Sequence, residues 1–448
     1  MTDFSKFGIT IPTILLPISD IELKKWSVIA CDQFTSEPEY WNQLGEFIGD
    51  SPSTLHMILP EVYLGKSDQE LRIQKTKEMM TKYLKNEYFV EHNGFVLVER
   101  TIVDKNNPQK RITRNGLVLA LDLEQYDFNR GSQSLIRATE GTIIDRLPPR
   151  IKIRKGASIE LPHILVLIDD PENSVIEPLV RKKKEFEQLY NFDLYADSGH
   201  INGYLIDHEN DLTEIYNAFQ HLMSPEIFSS KYNVSTEDKG LLLFAMGDGN
   251  HSLATAKAIW EDIKSKVGMD HPARYALVEI ENVHDDGLMF EPIHRILTGV
   301  IGNLETDLKA YYPDHVEFSL CPSRNEMIRK VDQQPNNDCH LIGWIHDGQY
   351  HIIQVNQPQS NLPVGTLQNF LDEWGKNGQY EEIDYVHGTD VIMANANQPG
   401  FMGFYLPVMQ KSDLFKTVIL DGSLPRKTFS LGEARAKRFY LECRKIIK

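Results

Sequence analysis

The sequence predicts a mixed α/β protein built from more than one packed unit, and three observations carry that expectation. The chain has 448 residues, and single cores stop growing beyond roughly 250–300 residues. Hydrophobic residues make up 41% and charged residues 25% of it, a balance that buries a core rather than leaving the chain disordered. Through the middle third, short apolar runs alternate with amphipathic stretches, as strands alternate with helices.

From the N-terminus, Ile14-Leu15-Leu16-Pro17 and Trp26-Ser27-Val28-Ile29-Ala30 are apolar pieces separated by a turn. The second ends in Cys31-Asp32-Gln33, so a strand there delivers the Asp32 carboxylate, which a simple turn acid would also explain. Residues 69–88 set Leu71, Ile73, Met79, Met80 and Tyr83 among lysines and glutamates, an amphipathic helix. Residues 94–100 and 116–123 form the strands of a hairpin, with the turn-rich segment 104–108 between them. A buried strand over 163–168 is stopped by Asp169-Asp170-Pro171. Residues 175–189 read as a charged helix. Within it, Arg181-Lys182-Lys183-Lys184 runs into Glu185 and Glu187, which suits a solvated face better than a ligand site.

A strand over 203–206 and a helix over 211–222 follow. Past residue 300 the pattern changes to a helix over 303–311 and two apolar runs, 341–346 and 350–355, around Asp347-Gly348, a strong hairpin signal. A helix over 431–447 closes the chain. These changes set a soft boundary near residue 300, dividing a core of 1–300 from an α+β C-terminal region of 301–448.

Charge and targeting patterns exclude several classes of function. The net charge of −17 repels polyanions, so extended nucleic acid and anionic membranes are not expected partners. The N-terminus lacks the basic start and apolar stretch of a signal peptide, and no apolar run is long enough to span a bilayer. A cytoplasmic location is expected. Cys31, Cys321, Cys339 and Cys443 are scattered, as are His200, His208 and His284, so free thiols and no structural zinc are predicted. Nothing in the sequence sets the oligomeric state.

The best candidate for chemistry is Gly247-Asp248-Gly249-Asn250-His251. The apolar run 241–246 fits a strand buried on both faces. Leu253, Ala256, Trp260, Ile263 and Val267 then fall on one stripe of a helix beginning near Ser252. A strand-to-helix loop of this kind turns unpaired amides and the positive dipole end toward a ligand, and its glycines permit close approach. A phosphate fits such a site. Asn250 or Ser252 is expected to cap the helix, Asp248 to hold a metal or orient a hydroxyl, and His251 to donate to a phosphate oxygen. An ordinary turn with a capped helix satisfies the same spacing.

Met246-Gly-Asp-Gly-Asn-His-Ser-Leu-Ala-Thr-Ala256 resembles the Asp-Gly-His-His-Arg-x-x-x-Ala signature of domain-of-unknown-function family 1015. Arg137-Ala-Thr-Glu140-Gly-Thr142, followed by Asp145-Arg146-Leu147, resembles that family's Arg-Thr-Glu-x-Thr region. Asp285-Asp286-Gly287-Leu288 through Pro292-Ile293-His294-Arg295 resembles its Pro-x-His-Arg segment. The likeness spans most of the chain but marks a divergent branch. Asn250 stands where the family has its first His, and Ser252 where it has Arg, which removes a planar phosphate clamp. Leu424-Pro425-Arg426-Lys427-Thr428-Phe429 is loosely similar to the family's Pro-Pro-Lys-Ser-Thr element.

The loop is also similar to the nucleotide-binding loop of the ParB and sulfiredoxin superfamily, which includes free-serine kinases. That resemblance implies a ParB/sulfiredoxin-like nucleotide-binding core and a small-molecule kinase using ATP or ADP with magnesium. The candidate catalytic residues are Asp248, His251 and Glu140 from the matching motifs and Asp32 from its place at the end of an apolar run, with Asp248 also the candidate metal ligand. Gly247, Gly249, Asn250, Ser252, Arg137, Thr142, His294, Arg295 and Lys427 are assigned to the cofactor. A nonenzymatic nucleotide sensor and a metabolite hydrolase remain as alternatives. Arg137 and Glu140 are three apart and equally suit a structural ion pair, while His294 and Arg295 equally suit structural roles.

Overall fold

The structure of the protein is a computed structural model that describes residues 2–104, 107–141, 147–335, 338–432 and 434–448, without the side chain of Pro108. The chain divides into two compact units, Met1–Leu288 with Glu433–Lys448, and Met289–Gly432. Both mix helices with sheets, so the class is α/β.

In the first unit, apolar runs assemble one mixed sheet. Its order is Gln188–Asp193, His200–Ile206, Phe95–Asp104, Asn107–Asp122, Tyr275–Asn282, Leu165–Ile168, Phe244–Asp248, Ile136–Arg137 and Tyr126–Asp127. Phe95–Asp104 and Asn107–Asp122 make the expected antiparallel hairpin, whose residues 105–106 lie outside the described residues. Leu165 through Ile168 are all 0% exposed, and burying each contributes about 1.5–3 kcal/mol relative to exposure. This strand lies parallel to Tyr275–Asn282 and antiparallel to Phe244–Asp248, with Leu165 opposite Asp248. Phe244–Asp248 is therefore an interior strand, flanked on its other side by Ile136–Arg137.

Two sequence expectations are corrected. The helix expected over 175–189 ends early: Glu177–Lys182 is α-helical, Lys183–Glu185 is a 3-10 turn, and Gln188–Asp193 is a strand. Pairing with His200–Ile206 claims that last part. Among the described residues of 431–447, the expected helix is absent. Phe439–Tyr440 pairs with Val28–Ile29, and Arg444–Lys445 pairs with Ile159–Glu160. The physical reason is that these pairings claim the segment's backbone groups, and residues 436–444, all buried, pack between their partners instead of showing the one exposed face of a surface helix. Their charges are matched internally, Arg438 to Glu279 and Glu442, and Arg444 to Glu160.

The second unit carries an antiparallel sheet ordered Val316–Cys321, Gln349–Asn356, Cys339–His346, Phe401–Tyr405, Phe290–Thr298 and Glu382–His387. The predicted hairpin turns at Asp347 and Gly348, with φ of 49° and 72°, the two positive values that a tight twisted hairpin turn requires. Helices Leu304–Tyr311, Arg324–Asp332, Pro363–Lys376, Thr389–Ala396 and Lys411–Asp421 complete the unit.

Candidate functional site

The loop after Phe244–Asp248 has the strand-to-helix form the sequence predicts. Phe244, Ala245 and Met246 are 0% exposed, and the helix Asn250–Val267 starts two residues before Ser252. Gly249 occupies the cap position with φ 81°, a left-handed conformation that side chains disfavour. A Cβ there would also lie 3.2 Å from Ile164. The cap itself makes no side-chain hydrogen bond to the helix, so the expected capping by Asn250 or Ser252 is corrected. Asn250 Oδ1 instead accepts the Thr139 amide at 3.3 Å, and the Ser252 hydroxyl turns to His163.

Asp248 is the last residue of the strand. Its Oδ1 accepts the Gly249 amide at 2.8 Å, and its Oδ2 pairs with Lys437 Nζ at 2.9 Å. Burial raises the affinity of this carboxyl for a proton. The Lys437 charge and hydrogen bond, nearby His163 and the Gly249 amide outweigh burial and hold it below the usual carboxylate range. Asp248 is thus an anion whose two oxygens are both engaged by donors. Among the described residues, no group of three or more His, Cys, Asp or Glu is arranged to hold a metal. A helix start joined to an ammonium suits an anion better than a bare cation.

A hydrogen-bond relay runs beside this loop. His163 Nδ1 lies 2.7 Å from Tyr440 Oη, and His163 Nε2 lies 3.0 Å from Ser252 Oγ. The Tyr440 phenol donates to Cys31 Sγ at 3.1 Å. The proton between imidazole and phenol then belongs to Nδ1, which leaves Nε2 to accept from the Ser252 hydroxyl. Burial, with the Asp32 charge next to it, pushes the Cys31 thiol up, so Cys31 is a neutral acceptor rather than an activated nucleophile. Asp32 Oδ2 stands 3.9 Å from His163 Nε2, and its Oδ1 accepts from Gln33 at 3.0 Å.

The relay borders a cavity of about 130 Å³. Met57, Ile58, Leu59, Met80, Ile159 and Leu277 contribute apolar walls, and Cys31, His163, Ser252 and Tyr440 contribute polar ones. Arg150 is paired with Glu61 and Arg154 with Glu160, all four in the lining. Burial raises Glu61, with Arg150 opposing it.

The remaining predicted site residues are distributed as follows. Arg137 lies in the strand next to Phe244–Asp248, but its guanidinium donates at 2.8 Å to the carbonyls of Ser134 and Lys239. Burial lowers it to about 10. Glu140 follows Thr139, whose hydroxyl donates to the Met246 carbonyl at 2.7 Å. His251 lies in the first helical turn, where its carbonyl accepts from Thr255. Thr142 lies outside the described residues, as do Asp145 and Arg146.

His294, Arg295 and Lys427 belong to the second unit. His294 is 0% exposed, stacks on Tyr405 and accepts the Leu406 amide at 3.2 Å; burial lowers it to about 3. Arg295 donates to Gln368 and to the Ile293 and Arg426 carbonyls, and lies over the Tyr385 ring. Lys427 sits in an exposed turn with φ 56°.

Sequence reasoning missed His163, Lys437 and Tyr440. His163 carried a usable signal, since it immediately precedes the strand that pairs with Phe244–Asp248. Lys437 and Tyr440 carried none, being hidden in a segment that reads as a helix.

The chain is an α/β protein of two units, the first of which carries the strand–loop–helix Phe244–Asp248, Gly249 and Asn250–Val267. Residues 15–374 match the family described as Protein of unknown function (DUF1015), and the chain belongs to that family. No curated protein matches it. Among solved structures it is similar to a conserved hypothetical protein from Pyrococcus furiosus, at 12% identity and a TM-score of 0.35, covering 72% of this chain and 90% of that one. It is similar to a free serine kinase in complex with AMP, at 11% identity and a TM-score of 0.38, covering 74% and 91%. A C-terminally truncated SbnI from Staphylococcus aureus gives 9% identity and a TM-score of 0.33, covering 72% and 82%. Among the described residues, no helix is long and apolar enough to cross a membrane.

Proposed function

We propose that loop 247–252 holds the phosphates of ATP or ADP and that the protein transfers a phosphoryl group to the hydroxyl of a small metabolite. One observation carries this reading: an ammonium, a carboxylate and an imidazole–hydroxyl relay converge on one helix start, through Lys437, Asp248, His163 and Ser252. Helix amides and Lys437 offset phosphate charge, and Asp248 fixes the lysine's position. His251, in the first turn, is assigned as a further phosphate donor. Magnesium enters with the nucleotide, because the Asp248 oxygens are already engaged.

In the transfer, the acceptor oxygen forms a bond to the terminal phosphorus while the bond to the leaving phosphate oxygen breaks. The acceptor proton passes to His163 Nε2, and Asp32 Oδ2, 3.9 Å from that nitrogen, offsets the positive charge that forms. Transfer of labelled phosphate from ATP to serine and a panel of hydroxylated metabolites tests this. Nucleotide binding without transfer to any acceptor favours a sensor instead.

A second reading is favoured by the Ser252–His163 hydrogen bond. A serine hydroxyl donating to an imidazole at a helix start is also a nucleophile–base pair beside oxyanion donors, which suits a hydrolase.

A further inference from the structure

The apolar cavity beside the relay lies within the first unit, and nothing in the phosphate-binding loop requires it. Its size is informative. At about 130 Å³ it approaches the roughly 150 Å³ engineered cavity that binds benzene, so it admits an aromatic ring or a short branched alkyl group. Its charges are informative too. Glu61 is paired with Arg150 and Glu160 with Arg154, so the lining acids and guanidiniums are matched to each other. A zwitterion placed there would face those pairs and a wall of Met57, Ile58, Met80 and Leu277, at the cost of desolvating both its charges. What the lining offers a guest is apolar surface and one proton relay, Ser252–His163–Tyr440.

We infer that this cavity is the acceptor site, and that the acceptor is a neutral molecule with a hydroxyl on an aromatic or short branched aliphatic body rather than a free amino acid. The inference rests on the phosphotransfer reading only for the word acceptor; the cavity's choice of guest stands on its own lining. The hydroxyl engages His163 Nε2 in place of Ser252, while the body fills the space between the 57–64 segment and Ala157.

Binding of benzyl alcohol, toluene and L-serine to the full chain, followed by calorimetry and ligand-observed NMR, tests this. Benzyl alcohol should bind at one site about two- to fivefold more tightly than toluene, the low end of the gain from one hydrogen bond, because its bond to His163 displaces that of Ser252, whose hydroxyl turns to water. L-Serine should not compete. His163→Ala should erase the gap between benzyl alcohol and toluene. Ala157→Phe should abolish benzyl alcohol binding with the near-UV circular dichroism retained, and Leu64→Trp serves the same purpose at a less buried wall position.

The inference is overturned if L-serine binds as well as benzyl alcohol, if toluene matches it, or if both filled variants fold and still bind it. A separate ATP titration that shows no binding removes the phosphotransfer reading while leaving these guest preferences readable.

Discussion

Asp248 Oδ2 and Lys437 Nζ lie 2.9 Å apart although 189 positions separate them in the chain. The pair ties the C-terminal segment to the loop that starts the Asn250–Val267 helix. Lys437→Met should therefore weaken nucleotide binding at least tenfold. It should also cost about 1–3 kcal/mol of stability, less than a fully buried pair would, because the Asp248 side chain is 27% exposed. A double-mutant cycle with Asp248→Asn, read by denaturant unfolding, should show the double variant losing less than the sum of the singles. Since Asp248 is held below its ordinary range, the pair's contribution is present above the unfolded carboxylate pKa of about 3.9. It is lost as pH falls through the lowered value.

That relationship marks the limit of what the sequence disclosed. The strand, glycine turn and helix were legible because apolar run, breaker and 3.6-residue stripe are local signals around Gly247 and Gly249. The hairpin at Asp347-Gly348 was legible for the same reason. Lys437 and Tyr440 were not, because residues 436–444 are buried on all sides and no surface periodicity distinguishes such a segment. His163 sat in plain view ahead of an apolar run, but only the strand register that sets Leu165 opposite Asp248 reveals its neighbour. Ser252 engages His163, and Lys437 pairs with Asp248 beside the same helix start.

Gly249→Ala tests the loop's geometry. With φ at 81° and Ile164 at 3.2 Å, alanine should cost about 1–2 kcal/mol from the left-handed backbone alone. Chemical denaturation measures that cost. Nucleotide affinity should fall as well, because the helix start shifts.

Glu281 predicts a pH dependence. Burial, with Glu279 and Asp285 nearby, pushes its carboxyl up to about 8, against the Arg114 guanidinium 2.9 Å away. An acid that binds its proton more tightly when folded destabilises the fold as pH rises from the unfolded value of about 4.3. Stability should therefore decline across pH 4.3 to 8 from this group and level off above it. Glu281→Gln should flatten that part of the slope in thermal unfolding across the same window.

Ser252→Ala separates the two enzymatic readings. In the phosphotransfer reading Ser252 only occupies His163 Nε2, so label transfer should change by no more than a few fold. In the hydrolase reading it is the nucleophile, and cleavage of a p-nitrophenyl ester should fall by several orders of magnitude. Measuring both reactions on one preparation decides between them.

Calorimetric titration of the full chain with ATP and ADP, with and without magnesium, tests the central claim most directly. One nucleotide should bind per chain, more tightly with magnesium, and Asp248→Asn, Lys437→Met and His251→Ala should each weaken it while the circular dichroism stays unchanged. An absence of binding by either nucleotide at millimolar concentration, with the protein folded, would contradict the account.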